Sequence, residues 1–345
     1  MQWDIKISNG ADSTDLDTWL ALGVYDPTRS SLEQELSLIQ SFSQIGGKIC
    51  WVAVDQKPIL RCFVMPLPTG QGLHSLGFFA FAPETEEGLL RTALKSLIEA
   101  LPNALGQIAV QLIAPMNANT WFPYRLRTDE HPLVFDWEPR RDPLLLKLLK
   151  EVNFKVHSHY HSIASQGLKK LQEHLKKDWA KVVSRGIELR AAKPADFRGP
   201  LLAELHRLSL DGFAENPLFV PISFQAFAHN YLHGKTAREN FLYTAHESDG
   251  RCIAYALCFL EPDPEGGRKT LVLKTAVTDR SCRQQGLCNA LICELCQHLP
   301  IDISDDYISA LVYRGLSSES FSKHGGALWE HEYILLSHAL VGAPV

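Results

Sequence analysis

The chain has 345 residues, of which 46% are hydrophobic and 21% are charged, and its formal net charge is -5. This composition excludes a disordered chain, and without a domain-wide excess of Lys and Arg we expect no nucleic-acid partner. The length predicts two domains, and no stretch approaches the roughly twenty apolar residues of a membrane span. With no signal-like N-terminal run, and with eight cysteines that suit reduced thiols, we expect a cytoplasmic protein.

Apolar periodicity predicts an α/β first half. The predicted strands are Trp3–Ser8, Lys48–Val54, Pro58–Met65, Ser75–Ala82, Ile108–Ile113 and Phe154–Ile163. The predicted helices are Ser13–Leu22, Ser30–Phe42, Thr85–Leu101 and Pro143–Val152. Asp55-Gln56-Lys57 has the composition of a hairpin turn, and the stretch from Ala114 to Asp142 shows no regular pattern.

The same order of elements begins again after an amphipathic helix at Leu168–Val183, which we expect to link the halves within 166–186. The predicted strands are Ile187–Ala191, Phe241–His246, Cys252–Leu260, Leu271–Val277, Tyr307–Tyr313 and one or two within Ala327–Ala339. The predicted helices are Lys193–Leu210, Ser223–Leu232, Leu287–Leu299 and Ser317–His324. Domains at 1–165 and 187–345 are the resulting prediction.

The segment from Lys269 to Pro300 predicts a buried strand, a tight turn and a helix. A turn that opens a helix directs unpaired backbone N–H groups at one spot, and the helix dipole adds partial positive charge there. Gly286 suits this turn because it lacks a Cβ, which lets an anion approach the backbone. The pattern therefore predicts a phosphate-binding turn.

The turn reads Arg283-x-x-Gly286-x-Cys288, which resembles the acyl-CoA-binding segment of the GCN5-related N-acetyltransferases (GNATs), Arg/Gln-x-x-Gly-x-Gly/Ala. Cys288 departs from the pattern, since a small residue is usual there. The resemblance implies acetyl-CoA as co-substrate. Its expected ligands are Ala276, Val277, Thr278, Arg283, Gln284, Gln285, Gly286, Leu287, Cys288 and Asn289.

The two halves repeat the order of their elements, and Gly88 in Glu87–Leu94 coincides with Gly286. Thr85 stands where Arg283 stands, and acidic residues surround Gly88, which would repel phosphates. The chain thus resembles a tandem member of the GNAT superfamily with a degenerate N-terminal copy. The implied fold class is α/β (α+β), with two GNAT-like domains, each a mixed, mostly antiparallel twisted sheet flanked by helices.

The resemblance implies that acetyl-CoA inserts between two splayed strands, and that a backbone amide near Val277 polarises the thioester carbonyl for direct attack by a primary amine. Many members protonate the departing thiolate from a tyrosine, where this chain has Phe321, so His324 or a water molecule is the expected substitute. Glu261, His246 and Lys274 are equal candidates for the general base.

The acceptor is expected to be a small molecule or a peptide, bound near Asp211, Phe213 and Phe219. Two other functions stay open: an acyl or aminoacyl transferase with another donor, and a non-catalytic CoA-binding or scaffolding protein. We expect no metal, because neither the CxxC pair Cys293 and Cys296 nor the alternating histidines from His157 to His161 form a complete ligand set. The oligomeric state is left open.

Overall fold

The computed structural model describes residues 2–9, 13–23, 32–68, 72–132, 135, 137–192, 199–232, 240–262, 267–314 and 326–341. The chain divides into two compact units. The first comprises Met1–Glu130, Asp136–His159 and Tyr333–Val345, and the second comprises His131–Phe135 and Tyr160–Glu332. The expected domain boundaries at 165 and 187 stay a prediction. None of the helices in the described residues is long and apolar enough to cross a membrane.

The first unit begins with six strands and four helices. Its strands are Trp3–Ser8 (β1), Lys48–Val54 (β2), Lys57–Pro66 (β3), Leu73–Phe81 (β4), Ala109–Ala114 (β5) and Leu126–Arg127 (β6). Its helices are Ser13–Ala21 (α1), Leu32–Ser43 (α2), Glu87–Leu105 (α3) and Pro143–Glu151 (α4). Helix α3 continues past Leu101, its predicted end, and stops where Gly106 adopts a left-handed φ of 65°.

The remaining elements lie largely in the second unit. The strands are Lys155–Gln166 (β7), Glu188–Ala192 (β8), Asn240–His246 (β9), Cys252–Glu261 (β10), Lys269–Thr278 (β11), Ile303–Tyr313 (β12) and Gly326–Val341 (β13). The helices are Leu168–Ser184 (α5), Pro200–Phe213 (α6), Phe224–Leu232 (α7) and Leu287–Gln297 (α8). Residues 155–159 of β7 and 333–341 of β13 belong to the first unit. Helix α5 belongs to the second unit.

Each unit is built on a mixed sheet that is mostly antiparallel. The strand order is β1-β2-β3-β4-β5-β13 in the first unit and β7-β12-β11-β10-β9-β8 in the second. The parallel pairs are β4 with β5 and β11 with β12, and each pair is connected through one helix, α3 or α8. The predicted fold class is confirmed.

A separate apolar core supports each unit. Helix α3 covers one face of the first sheet, with Leu90, Leu94 and Leu97 almost fully buried. Helices α5 and α8 pack on one face of the second sheet around Leu171 and Leu291. Because helices cover both faces of the first sheet, its strands β2 and β3 read as continuous apolar runs.

A buried ion pair lies beneath α1 and α2 in the first unit. The Arg61 guanidinium is fully buried and lies 2.8 Å from Glu35 Oε1 and 2.8 Å from the Phe78 carbonyl oxygen. Trp19 donates its indole N–H to the same carboxylate at 2.9 Å. Burial lowers the pKa of Arg61 to about 10, so the group stays protonated at neutral pH.

We predict that Glu35→Ala lowers the free energy of unfolding of the first unit by about 3–5 kcal/mol, because it leaves the Arg61 charge buried without its carboxylate. The measurement is a urea titration of the full chain followed by tryptophan fluorescence. Glu99→Ala is the matched control, since the exposed pair Lys95–Glu99, at 3.9 Å, is worth at most about 0.5 kcal/mol. Equal effects of the two substitutions would contradict the prediction.

Candidate functional site

Strands β11 and β12 separate partway along their length. The last parallel pair among their described residues is Leu273 with Ser309, whereas β11 continues to Thr278 and β12 to Tyr313. A bulge in β11 coincides with this point, because Leu257 of β10 pairs with Thr275 and Cys258 pairs with Leu273, which leaves Lys274 as the extra residue. A wedge-shaped cleft therefore opens between residues 274–278 and 310–313.

The predicted phosphate turn lies at the end of β11. A short 3-10 helix, Arg280–Cys282, follows the strand, and Gly286 then caps α8 with a left-handed φ of 79°. Gln284 also has a positive φ, 61°. The first turn of α8 leaves the N–H groups of Leu287, Cys288 and Asn289 without acceptors inside the helix. The turn thus has the backbone of an anion site.

The thiol of Cys288 points back towards β11. Its Sγ lies 3.1 Å from Thr278 Oγ1, and burial raises the pKa of this thiol, which keeps it protonated. The side chain that departs from the expected pattern therefore fills space between the strand end and the helix.

Helix α6 contacts the end of β11 at its closest point through Gly212. A Cβ on Gly212 would lie 2.4 Å from Val277 Cγ1, so only glycine fits against this valine. The Gly212 carbonyl oxygen also accepts a hydrogen bond from Arg283 Nη2 at 3.0 Å. Helix α6, the β11 end and the turn therefore form one packed assembly.

Two arginines of the turn are paired with acidic residues at the end of α6. Arg283 donates to Glu215 Oε2, and Arg280 Nη2 lies 3.5 Å from the other carboxylate oxygen. These arginines lower the pKa of Glu215. Asp211, predicted to contact the acceptor, accepts from the backbone N–H of Arg280 at 3.0 Å. The side-chain charges at this edge are thus largely balanced.

Asp279 fixes the start of the turn. Its carboxylate accepts from the backbone N–H and the hydroxyl of Ser281, and its second oxygen lies 3.2 Å from Arg207 and 3.3 Å from Arg251. The Ser281 hydrogen bonds and these two arginines hold the pKa of Asp279 below its usual value. The residue therefore stays ionised and ties β11 to α6 and β10.

Helix α5 brings a negative and a positive charge to the other side of the turn. Asp178 accepts a hydrogen bond from Asn289 Nδ2, and a Cβ on Gly286 would lie 2.9 Å from its carboxyl carbon. Arg185 donates to Gln285 Oε1 at 3.0 Å. Asp178, Arg185, Glu215 and Gly212 were not identified from the sequence, since no local pattern links them to the turn.

The other predicted residues are distributed as follows. Phe219 is buried and Phe213 is half-buried near the end of α6. Phe321 and His324 lie outside the described residues, so the proton donor stays a prediction. Cys293 and Cys296 lie within α8 as predicted. In the described part of the chain, His, Cys, Asp and Glu do not gather into a metal-binding group.

The structure separates the three candidate bases. His246 lies in the β9–β10 hairpin with ring nitrogens 3.1 Å from Gly250 O and 2.9 Å from Thr244 Oγ1. Glu261 pairs with Thr270, at the closed end of the parallel ladder. Of the three, only Lys274 lies where β11 and β12 separate.

The corresponding cleft in the first unit is filled by its own chain. Strand β4 leaves β5 after Ser75, and the segment that follows β5 folds back along it. Met116 N–H donates to the Leu76 carbonyl at 2.9 Å, and Asn117 Oδ1 accepts from the Phe78 N–H at 2.7 Å. Asn117 is 2% exposed. This buried segment occupies the place where a ligand would enter.

Solved structures with the same fold cover nearly the whole chain. A GCN5-related N-acetyltransferase from Kribbella flavida is 12% identical over 97% of this chain and 71% of its own, with a TM-score of 0.54. A tandem GNAT protein from the clavulanic acid biosynthesis pathway is 11% identical over 100% of both chains, with a TM-score of 0.50. A probable N-acyltransferase from Enterococcus faecalis is 10% identical over 97% of this chain and 72% of its own, with a TM-score of 0.58.

No protein-family model matches the sequence, and no curated protein matches it. The structural similarity nevertheless confirms the predicted resemblance: the chain has the tandem GNAT fold of an acyltransferase.

The contact between Gly212 and Val277 predicts strong coupling. Gly212→Ala should cost about 1–3 kcal/mol through overpacking, although alanine suits a helix, and Val277→Ala should cost about 2 kcal/mol through lost burial. In the double variant the new methyl group no longer meets Cγ1. We therefore expect it to be at least about 1 kcal/mol more stable than the sum of the single effects, measured by urea unfolding. Additive effects would exclude the contact.

Proposed function

We propose that the second unit binds acetyl-CoA and transfers its acetyl group to a primary amine. One observation carries this proposal: β11 and β12 separate just before a glycine-containing turn that opens α8. A strand edge without a ladder partner and a helix N-terminus provide two different kinds of donor, one for a carbonyl group and one for phosphates. A thioester with a pyrophosphate at a distance suits both.

The proposed ligands follow from this arrangement. The backbone of Gln284, Gln285, Gly286, Leu287, Cys288 and Asn289 would hold the pyrophosphate, with Arg283 fixing the turn through Gly212. The backbone amides of Ala276, Val277 and Thr278 would lie along the thioester, where one well-placed donor is worth about 3 kcal/mol of barrier. Placing the amine against the thioester would contribute on the order of 7 kcal/mol.

We retain Asp211, Phe213 and Phe219 as the proposed acceptor side, and His324 as the proposed source of the proton for the departing thiolate. Asp211 would act there as a partner of Arg280 rather than as an isolated charge. The acceptor class therefore rests on the shape of this region more than on its net charge.

A charge reversal at the turn tests the proposal. Gln284 is exposed and already has a positive φ, so Gln284→Glu adds one negative charge with little change in shape. We expect calorimetry to give one acetyl-CoA per chain for the wild type and about tenfold weaker binding for the variant, because the carboxylate repels the phosphates. Substitution of Gly286 is less suitable, because any Cβ there would meet Asp178.

The matched control is Gln297→Glu, which makes the same change at the far end of α8 and should leave the affinity within about twofold. Failure of the wild type to bind acetyl-CoA would overturn the proposal, and equal effects of the two variants would overturn the phosphate turn. Thiol release in the presence of small primary amines or lysine peptides then tests transfer. Binding without any release would favour a CoA-binding scaffold, and release only from another acyl-CoA would favour a different donor.

The position of Asp178 predicts a gain of affinity. Asp178→Asn removes a negative charge beside Gly286 and keeps an oxygen for Asn289. We expect acetyl-CoA to bind about threefold more tightly, since less repulsion opposes the phosphates. Asp305→Asn is the control, because Asp305 accepts from Lys169 at the opposite end of α5. Unchanged or weaker binding by Asp178→Asn alone would contradict this account of the turn.

A further inference from the structure

Lys274 occupies the point where the two parallel strands separate. The preceding residue, Leu273, is the last of β11 that pairs with β12, and Lys274 itself forms the bulge. The proposed carbonyl-binding amides begin two residues further along at Ala276, about 7 Å away at the usual rise of a strand. A flexible four-carbon stem brings the amine within reach of a group held there.

The local environment makes this amine unusually nucleophilic. Its side chain is accessible to solvent, and Nζ lies 5.3 Å from the centre of the Phe259 ring. Desolvation by the surrounding protein lowers the pKa of Lys274 to about 8. Accessibility and desolvation occur together for an amine at the bottom of an open cleft. A substantial fraction is therefore neutral near physiological pH, which is the form that attacks a carbonyl.

We infer that Lys274 is a self-acylation site, which takes the acyl group of a thioester bound between β11 and β12. This inference rests on the proposed acetyl-CoA site. The amine nitrogen attacks the carbonyl carbon, a C–N bond forms and the C–S bond breaks. CoA leaves as the thiol and carries away the proton that the amine loses. The product is an uncharged amide inside the cleft, where it competes for space with the next donor.

Lys269 is the internal control for this chemistry. It lies on the same strand but pairs with Ile303 at the closed end of the parallel ladder, five residues from the bulge. Unspecific acetylation in solution reaches any accessible lysine, whereas transfer from a bound donor favours the lysine beside the thioester.

The experiment incubates the full chain with acetyl-CoA and no added amine, and measures peptide masses and released thiol. We expect acetylation of Lys274 to exceed that of Lys269 by about tenfold, with about one thiol released per chain. Excess CoA, which competes for the site, should suppress acetylation of Lys274 and leave Lys269 unchanged. Lys274→Arg should bind acetyl-CoA as the wild type does, melt at the same temperature and release no thiol.

The results separate this inference from the proposed function. Binding of acetyl-CoA without preferential acetylation of Lys274, or acetylation that excess CoA does not reduce, overturns the inference and leaves the proposed function standing. Absence of acetyl-CoA binding by the wild type overturns both.

Discussion

The separation of β11 from β12 is the constraint on which the candidate site depends. When two paired strands part, the backbone groups between them lose their ladder partners and need others. The first unit meets this need with its own chain, because Met116 and Asn117 bond to the backbone of Leu76 and Phe78. In the second unit β12 instead runs on to Tyr313. The same scaffold thus closes one cleft internally and leaves the other to a different solution.

The charge at the turn comes from the backbone more than from its side chains. Arg280 and Arg283 are paired with Asp211 and Glu215, and Asp178 lies directly against Gly286. What remains for an anion is the set of N–H groups at the start of α8 and the partial charge of its dipole. Such a site is weaker than one lined by free arginines, and acidic neighbours within a few ångströms modulate it.

The order of the elements could be predicted from the sequence because it depends on local periodicity. Strand alternation and helical spacing identified β11 and α8 to within about two residues, and the hairpin at Asp55 forms with two positive φ angles. The end of α3 was missed because Pro102, taken as a terminator, lies in its last turn. Contacts such as Asp178 with Gly286 could not be predicted, since they join residues about a hundred positions apart that share no pattern.

The two glycines that align in sequence show why a motif alone is insufficient. Gly88 is the second residue of α3, and a Cβ there would meet no atom within 4 Å. Gly286 precedes α8 in a left-handed conformation with Asp178 against it. The first glycine is permitted by its surroundings, whereas the second is required by them. Loss of that requirement, together with the chain segment that fills the first cleft, is the physical content of degeneracy in the N-terminal copy.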